Sequence, residues 1–184
     1  MRNVVILAAL ISLVCVVGNA QQQQTFSVFL SDVMQSQTDR VTESWPSGFG
    51  ASYERMLATR WSVRGAVAVE RHSSYPYVVE DNGSITNVDS SHLRTVPIDV
   101  TARYHWPTDT RWKPFLGVGA HYVAAPNADA RFRYRNHFDA ELEGGTLFML
   151  NRSLGLMIDG RVLGGDREPY DQPVKVSFGL SWRF

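Results

Sequence analysis

Apolar and polar residues alternate with a period of two through eight stretches of this chain. Successive side chains of an extended strand point to opposite faces, so each stretch presents one apolar and one polar surface. The last stretch is the most regular. Val174, Val176, Phe178, Leu180, Trp182 and Phe184 share one face, and Lys175, Ser177, Gly179, Ser181 and Arg183 share the other. The pattern predicts the remaining strands at about 25–33, 48–57, 61–71, 95–105, 114–124, 136–150 and 153–163. In the third, Trp61, Val63, Val67 and Val69 oppose Ser62, Arg64, Ala66, Ala68 and Glu70. In the fourth, Val96, Ile98, Val100, Ala102 and Tyr104 oppose Pro97, Asp99, Thr101, Arg103 and His105. The fifth sets Leu116, Val118, Ala120 and Tyr122 against Gly117, Gly119 and His121, and the sixth sets Phe138, Ala140, Leu142 and Phe148 against Asp139, Glu141 and Glu143.

The connections alternate in length. Those at 34–47, 72–94, 125–135 and 164–173 are long; those at 58–60, 106–113 and 151–152 are short. Two architectures use eight up-and-down strands. A soluble lipocalin-like barrel lines its cup with the apolar face, whereas a membrane barrel turns that face to lipid. The strands here match the ~9–11 residues that cross a bilayer at a tilt. Their apolar faces are free of charge, and Trp61, Tyr104, Trp106, Trp112, Trp182 and Phe184 gather at the end with the short connections, as an interfacial girdle does. The expected fold is all-β: an eight-stranded antiparallel up-and-down transmembrane β-barrel. Its long connections are expected outside the cell and its short turns on the periplasmic side.

The start of the chain fits an exported protein. Arg2 precedes an apolar run from Val4 to Val17, and Gly18 and Ala20 place small residues where a signal peptidase cuts. The run is shorter than the ~20 residues a spanning helix needs. Residues 1–20 are therefore expected to be a signal peptide and 21–184 the barrel domain. The single cysteine, Cys15, lies within the leader behind Val14 rather than a small residue, so neither lipidation nor a disulfide framework is expected. Lys plus Arg and Asp plus Glu are 18 each, which leaves no basic field for nucleic acid. The slightly negative mean hydropathy would suggest a soluble protein, but alternating faces cancel in such an average.

The stretch Val96-Pro97-Ile98-Asp99-Val100-Thr101-Ala102-Arg103-Tyr104-His105-Trp106, followed by Lys113-Pro114-Phe115-Leu116-Gly117-Val118-Gly119-Ala120-His121-Tyr122, resembles small outer-membrane barrels of the OmpW/opacity-like superfamily. The ending Ser177-Phe178-Gly179-Leu180-Ser181-Trp182-Arg183-Phe184 is similar to theirs, with Trp182 in the usual tyrosine place. The resemblance implies a bacterial outer-membrane protein surrounded by lipid and lipopolysaccharide. It also implies that Phe178, Leu180, Trp182 and Phe184 form the membrane-insertion signal read by the barrel-assembly machinery. Likeness to the OmpW branch implies a narrow path for small apolar molecules, and likeness to the opacity branch implies surface attachment through loops.

The inward faces then carry Glu54, Glu70, Asp99, Asp139, Glu141, Glu143 and Asp159 with Arg64, Arg103, Arg161, Lys175 and Arg183. Side chains suffice to fill an eight-stranded bore, so this lumen charge network is expected to be an ion-pair plug, the alternative being a gated polar path. Gly117 and Gly119 are expected to make room for bulky neighbours. The five histidines show no metal-ligand spacing. No nucleophile, base and orienter fall together on an outward face, so no catalytic residue, metal or cofactor is expected. Arg131, Arg133 and Arg135, interleaved with Phe132 and Tyr134, read as strand tips; Arg suits lipopolysaccharide phosphates as a second role. The transported or bound small molecule is not named by any of these residues.

Overall fold

The structure, a computed structural model, describes residues 23–34, 48–74, 77–79, 85–87, 91–124, 137–164 and 174–184. The expected leader, 1–20, lies outside the described residues. Ten strands follow in order: β1 Gln24–Met34, β2 Gly48–Met56, β3 Trp61–Ser74, β4 Tyr77–Val79, β5 Ile85–Asn87, β6 Ser91–His105, β7 Trp112–Ala124, β8 His137–Met149, β9 Leu154–Gly164 and β10 Val174–Arg183. Eight of them close a barrel in the order β1-β10-β9-β8-β7-β6-β3-β2, and β4 pairs with β5 in a separate ribbon. Every pairing is antiparallel. The β1–β10 ladder runs from Thr25 opposite Arg183 to Met34 opposite Val174, so the barrel itself closes without a free edge strand.

All eight expected strands are present; β7 starts two residues early, at Trp112, and the largest difference of extent lies in one long connection. The stretch from His72 to Arg94, read as one long connection, instead prolongs β3 to Ser74, starts β6 at Ser91 and holds the β4–β5 ribbon. Its residues do not alternate cleanly because the period-two signal arises where one face meets lipid and the other does not.

Burial follows the membrane polarity. Arg64, Thr101, His121, Glu143 and Ser177 are fully enclosed, while Val118, Leu142 and Phe138 lie more than half exposed on the outside. Phe29, Ala66, Ala68 and Met157 form one buried apolar cluster, with Leu147 packed against them, and Phe115, Val123, Met149 and Leu163 are buried as well. Trp61, Tyr104 and Trp106 stack edge to face at 5.2 and 5.4 Å on the rim of short connections, and Trp112 meets Phe148 at 4.8 Å on the same rim.

Among the described residues, one ladder of the wall lapses. β3 pairs with β6 from Trp61 opposite Tyr104 to Val67 opposite Ile98, and again from Glu70 opposite Thr95 to Ser74 opposite Ser91. Between these runs Ala68 and Val69 have no ladder partner on β6, where Pro97 and Val96 stand opposite. Proline has no N–H to give to a ladder and is unusual within a central strand.

Candidate functional site

Lumen side chains link into one chain of polar contacts running along the barrel. Near the short-connection rim, Glu54 accepts from Arg103 Nη1 at 2.8 Å. Arg103 also grips Glu143, with Nε to Oε2 at 2.8 Å and Nη2 to Oε1 at 2.5 Å. Such two-pronged pairing fixes geometry as well as charge. Glu143 accepts a further bond from Arg64 Nη1 at 2.9 Å and lies 3.5 Å from Arg161 Nε. Arg161 binds Asp159 at 2.8 Å and Asp99 at 2.9 Å. Asp99 accepts from His121 Nδ1, and His121 Nε2 lies 3.5 Å from Lys175 Nζ. Lys175 holds both oxygens of Glu70 at 3.0 Å, and Ser31 donates to Glu70 at 3.3 Å.

Aromatic rings cover the guanidinium faces. Arg103 sits 4.0 Å from the Phe115 centroid, while Arg64 and Arg161 lie 5.4 and 5.6 Å from Phe29. A cation beside a desolvated ring gains from its quadrupole. The glycines supply the room. A Cβ on Gly117 would come within 3.1 Å of Arg103 Cγ and 3.2 Å of a Glu143 oxygen, and one on Gly48 within 2.6 Å of Glu70 Cγ.

Of the inward charges named from the sequence, Glu54, Arg64, Glu70, Asp99, Arg103, Glu141, Glu143, Asp159, Arg161 and Lys175 all lie in or beside this chain. Asp139 is buried in the cross-strand row of Asp99 and His121. Arg183 stands apart, half-buried at the rim with its Nε free of hydrogen bonds. Phe178, Leu180, Trp182 and Phe184 form an exposed outward row. Arg131, Arg133 and Arg135 lie outside the described residues.

His105, His121 and Ser62 were not assigned to the network from sequence, although their strand parity turns them inward. Ser62, His105 and Glu54 form a triangle at the rim, each contact between 2.5 and 2.8 Å. It lacks the order of a nucleophile relay. One ring nitrogen, Nε2 of His105, faces both the serine and the carboxylate, and the serine also donates to the carboxylate. A relay needs opposite nitrogens of the imidazole on those two partners.

On the outside, an apolar hollow of about 750 Å³ spans β9, β10, β1, β2 and β3, bordered by Val28, Phe49, Val67, Val69, Leu156 and Phe178. Its floor includes Gly50, Ala68 and Gly179, small residues that let the wall dip. Ala68 and Val69 belong both to the hollow and to the interrupted ladder.

A family model described as the OmpW family matches residues 5–159. None of the curated proteins is similar enough in sequence to match. Among solved structures, the N-terminal β-barrel domain of Pseudomonas aeruginosa OprF superposes with a TM-score of 0.60 at 11% identity, covering 88% of this chain and 97% of that one. The outer membrane protein OprG from Pseudomonas aeruginosa gives 0.59 at 14% identity, covering 90% and 96%. Ail, the attachment invasion locus protein of Yersinia pestis, gives 0.53 at 13% identity, covering 89% and 97%. At these identities the likeness is one of fold.

Proposed function

The chain belongs to the OmpW family and is an integral β-barrel protein of the bacterial outer membrane; from that premise we propose that it passes small apolar molecules sideways through its wall, not along its bore. The observation that carries this reading is the interruption between β3 and β6 at Pro97. Strands held by fewer ladder bonds part more easily, and the side chains around this break, Val67, Val69, Val96 and Ile98, are apolar and outward by parity.

The lumen supports the same reading. A solute travelling from rim to rim would have to separate Arg103 from Glu143 or Arg161 from Asp99. An unpaired buried charge costs several kcal/mol, so the plug opposes ions and polar solutes. Toward the long-connection rim the inward face also carries Val123 and Leu163. An apolar solute entering there meets only the Lys175–Glu70 pair before the break and leaves into the bilayer without separating Arg103 from Glu143 or Arg161 from Asp99. The long connections face outside the cell in this reading, among lipopolysaccharide. Attachment through loops would rest on residues such as Arg131 and Arg133, outside the described ones.

Liposomes carrying the refolded protein test it. Uptake of a small apolar fluorescent probe is expected to exceed that of protein-free vesicles and to fall in Pro97→Val, which restores an N–H to the ladder. Equal uptake by the two proteins would overturn the lateral route. A steady ionic conductance in planar bilayers would overturn the sealed lumen.

A further inference from the structure

Midway along the lumen, three side chains from neighbouring strands converge: Asp99 on β6, His121 on β7 and Glu141 on β8. One oxygen or nitrogen from each lies within 4.8 Å of the other two. All three residues are buried, with 1%, 0% and 2% of their surface exposed. Asp99 and His121 are direct cross-strand partners, and Glu141 stands opposite Gly119, two residues from His121.

One observation sets this cluster apart from the ion pairs around it. Both carboxylate oxygens of Glu141 are enclosed with no hydrogen-bond partner. The nearest cation, Arg161 Nε, is 3.7 Å away, beyond hydrogen-bond length. A buried carboxylate in that condition is costly unless something positive meets it.

We propose that Asp99, His121 and Glu141 hold one divalent transition-metal cation of the zinc or cobalt kind. An imidazole nitrogen with two carboxylate oxygens is a donor set suited to such ions. His121 would bind through Nδ1: the single proton of the neutral ring, now donated to Asp99 Oδ1, passes to Nε2 as the ion enters, so the imidazole stays neutral and Nε2 no longer accepts from Lys175. Asp99 keeps Oδ2 on Arg161 at 2.9 Å, and Lys175 keeps Glu70. The first of these fixes the orientation of a ligand, as outer partners of metal ligands generally do. The ion would supply the positive charge that the Glu141 carboxylate lacks, and its bonds would tie β6, β7 and β8 together.

Refolding the full chain in detergent with the ion present removes any question of access to a closed interior. After dialysis, cobalt(II) is expected at one ion per chain, with visible absorption bands that zinc(II) abolishes by displacement, and with a raised melting temperature. Glu141→Gln preserves shape and is expected to weaken cobalt binding by at least roughly tenfold. His121→Asn is expected to do the same, while His92→Gln leaves binding unchanged. Circular dichroism shows which variants fold; if His121→Asn does not, Glu141→Gln decides. Wild-type protein that retains no stoichiometric ion would overturn the proposal, as would a folded Glu141→Gln variant that binds as tightly as wild type.

Discussion

From β6 to β9 the inward face carries Asp99, Arg103, His121, Asp139, Glu141, Glu143, Asp159 and Arg161; from β10 through β1 and β2 to β3 it carries mostly Ser27, Ser31, Ser52, Ser62, Ala66, Ala68, Ser177 and Ser181. One half of the wall projects long charged groups, and the other gives them space. The bore of an eight-stranded barrel admits only as much side chain as it can pack, so charge density on one side requires small residues opposite. Two of the exceptions bridge the halves: Arg64 on β3 reaches Glu143 on β8, and Glu54 on β2 meets Arg103 on β6. Lys175 on β10 and Glu70 on β3 pair within the small half, across the space left by Gly48. Phe29 lies over Gly50 and fills the remaining apolar volume beneath two guanidinium groups.

The largest expected effect comes from breaking the bridge between the halves. Glu143→Leu strands Arg64 and leaves Arg103 with Glu54 alone, and removal of one partner of a buried pair costs about 3–5 kcal/mol. Urea unfolding in lipid vesicles should show that loss. Adding Arg64→Met to the same chain should recover part of it, because Arg103 still keeps Glu54. A mild single substitution would mean that the halves are not electrostatically coupled.

Next in size is a test of inside against outside. Val100 is 44% exposed on the lipid face, and Val100→Arg should cost ~2–4 kcal/mol if it lies near the bilayer midplane. Its neighbour Thr101 is enclosed, with a hydroxyl that finds no hydrogen-bond partner. Thr101→Val keeps the shape and should be neutral or stabilising in the same titration. The reverse ranking would exchange the two faces.

The glycines refine the contrast between the halves. A Cβ on Gly50 would meet Phe29 Cζ at 2.6 Å and Ala68 Cβ at 2.7 Å, whereas one on Gly65 meets nothing within 4 Å. Gly50→Ala should therefore cost ~1–3 kcal/mol through overpacking. Gly65→Ala should be nearly silent in the same melt, and it is the smallest effect of the series. Equal costs would show that the small half has slack.

Much of this is legible in the alternation of residues alone. The parity of Val96 to Tyr104 against Pro97 to His105 assigned both faces of β6 correctly, as it did for β3 and for β7 to β10. Long and short connections gave the up-and-down order. The site was legible only as a list. Lys175 and Glu70 are 105 residues apart, and Arg64 and Glu143 are 79 apart, so no local spacing could pair them. His121 was seen to face inward, but its meeting with Asp99 and Glu141 depends on how three strands line up. Pro97 was likewise an inward residue in a regular pattern until the β3 ladder was found to lapse opposite it.

What the sequence determined by itself is which side of the wall each residue occupies, because a side chain facing lipid and one facing the lumen obey opposite solvation rules at every second position. A slip of one residue between strands would turn every apolar group inward and is forbidden by that pattern. A slip of two residues would violate nothing in the pattern: the apolar groups would still meet lipid and the charges would still lie inside. Only the closed hydrogen-bonded ladders decide that Arg103 meets Glu143, that Lys175 meets Glu70 and that Asp99, His121 and Glu141 share one pocket. That choice belongs to the tertiary structure, since charge partners across a lumen are set by register and not by alternation.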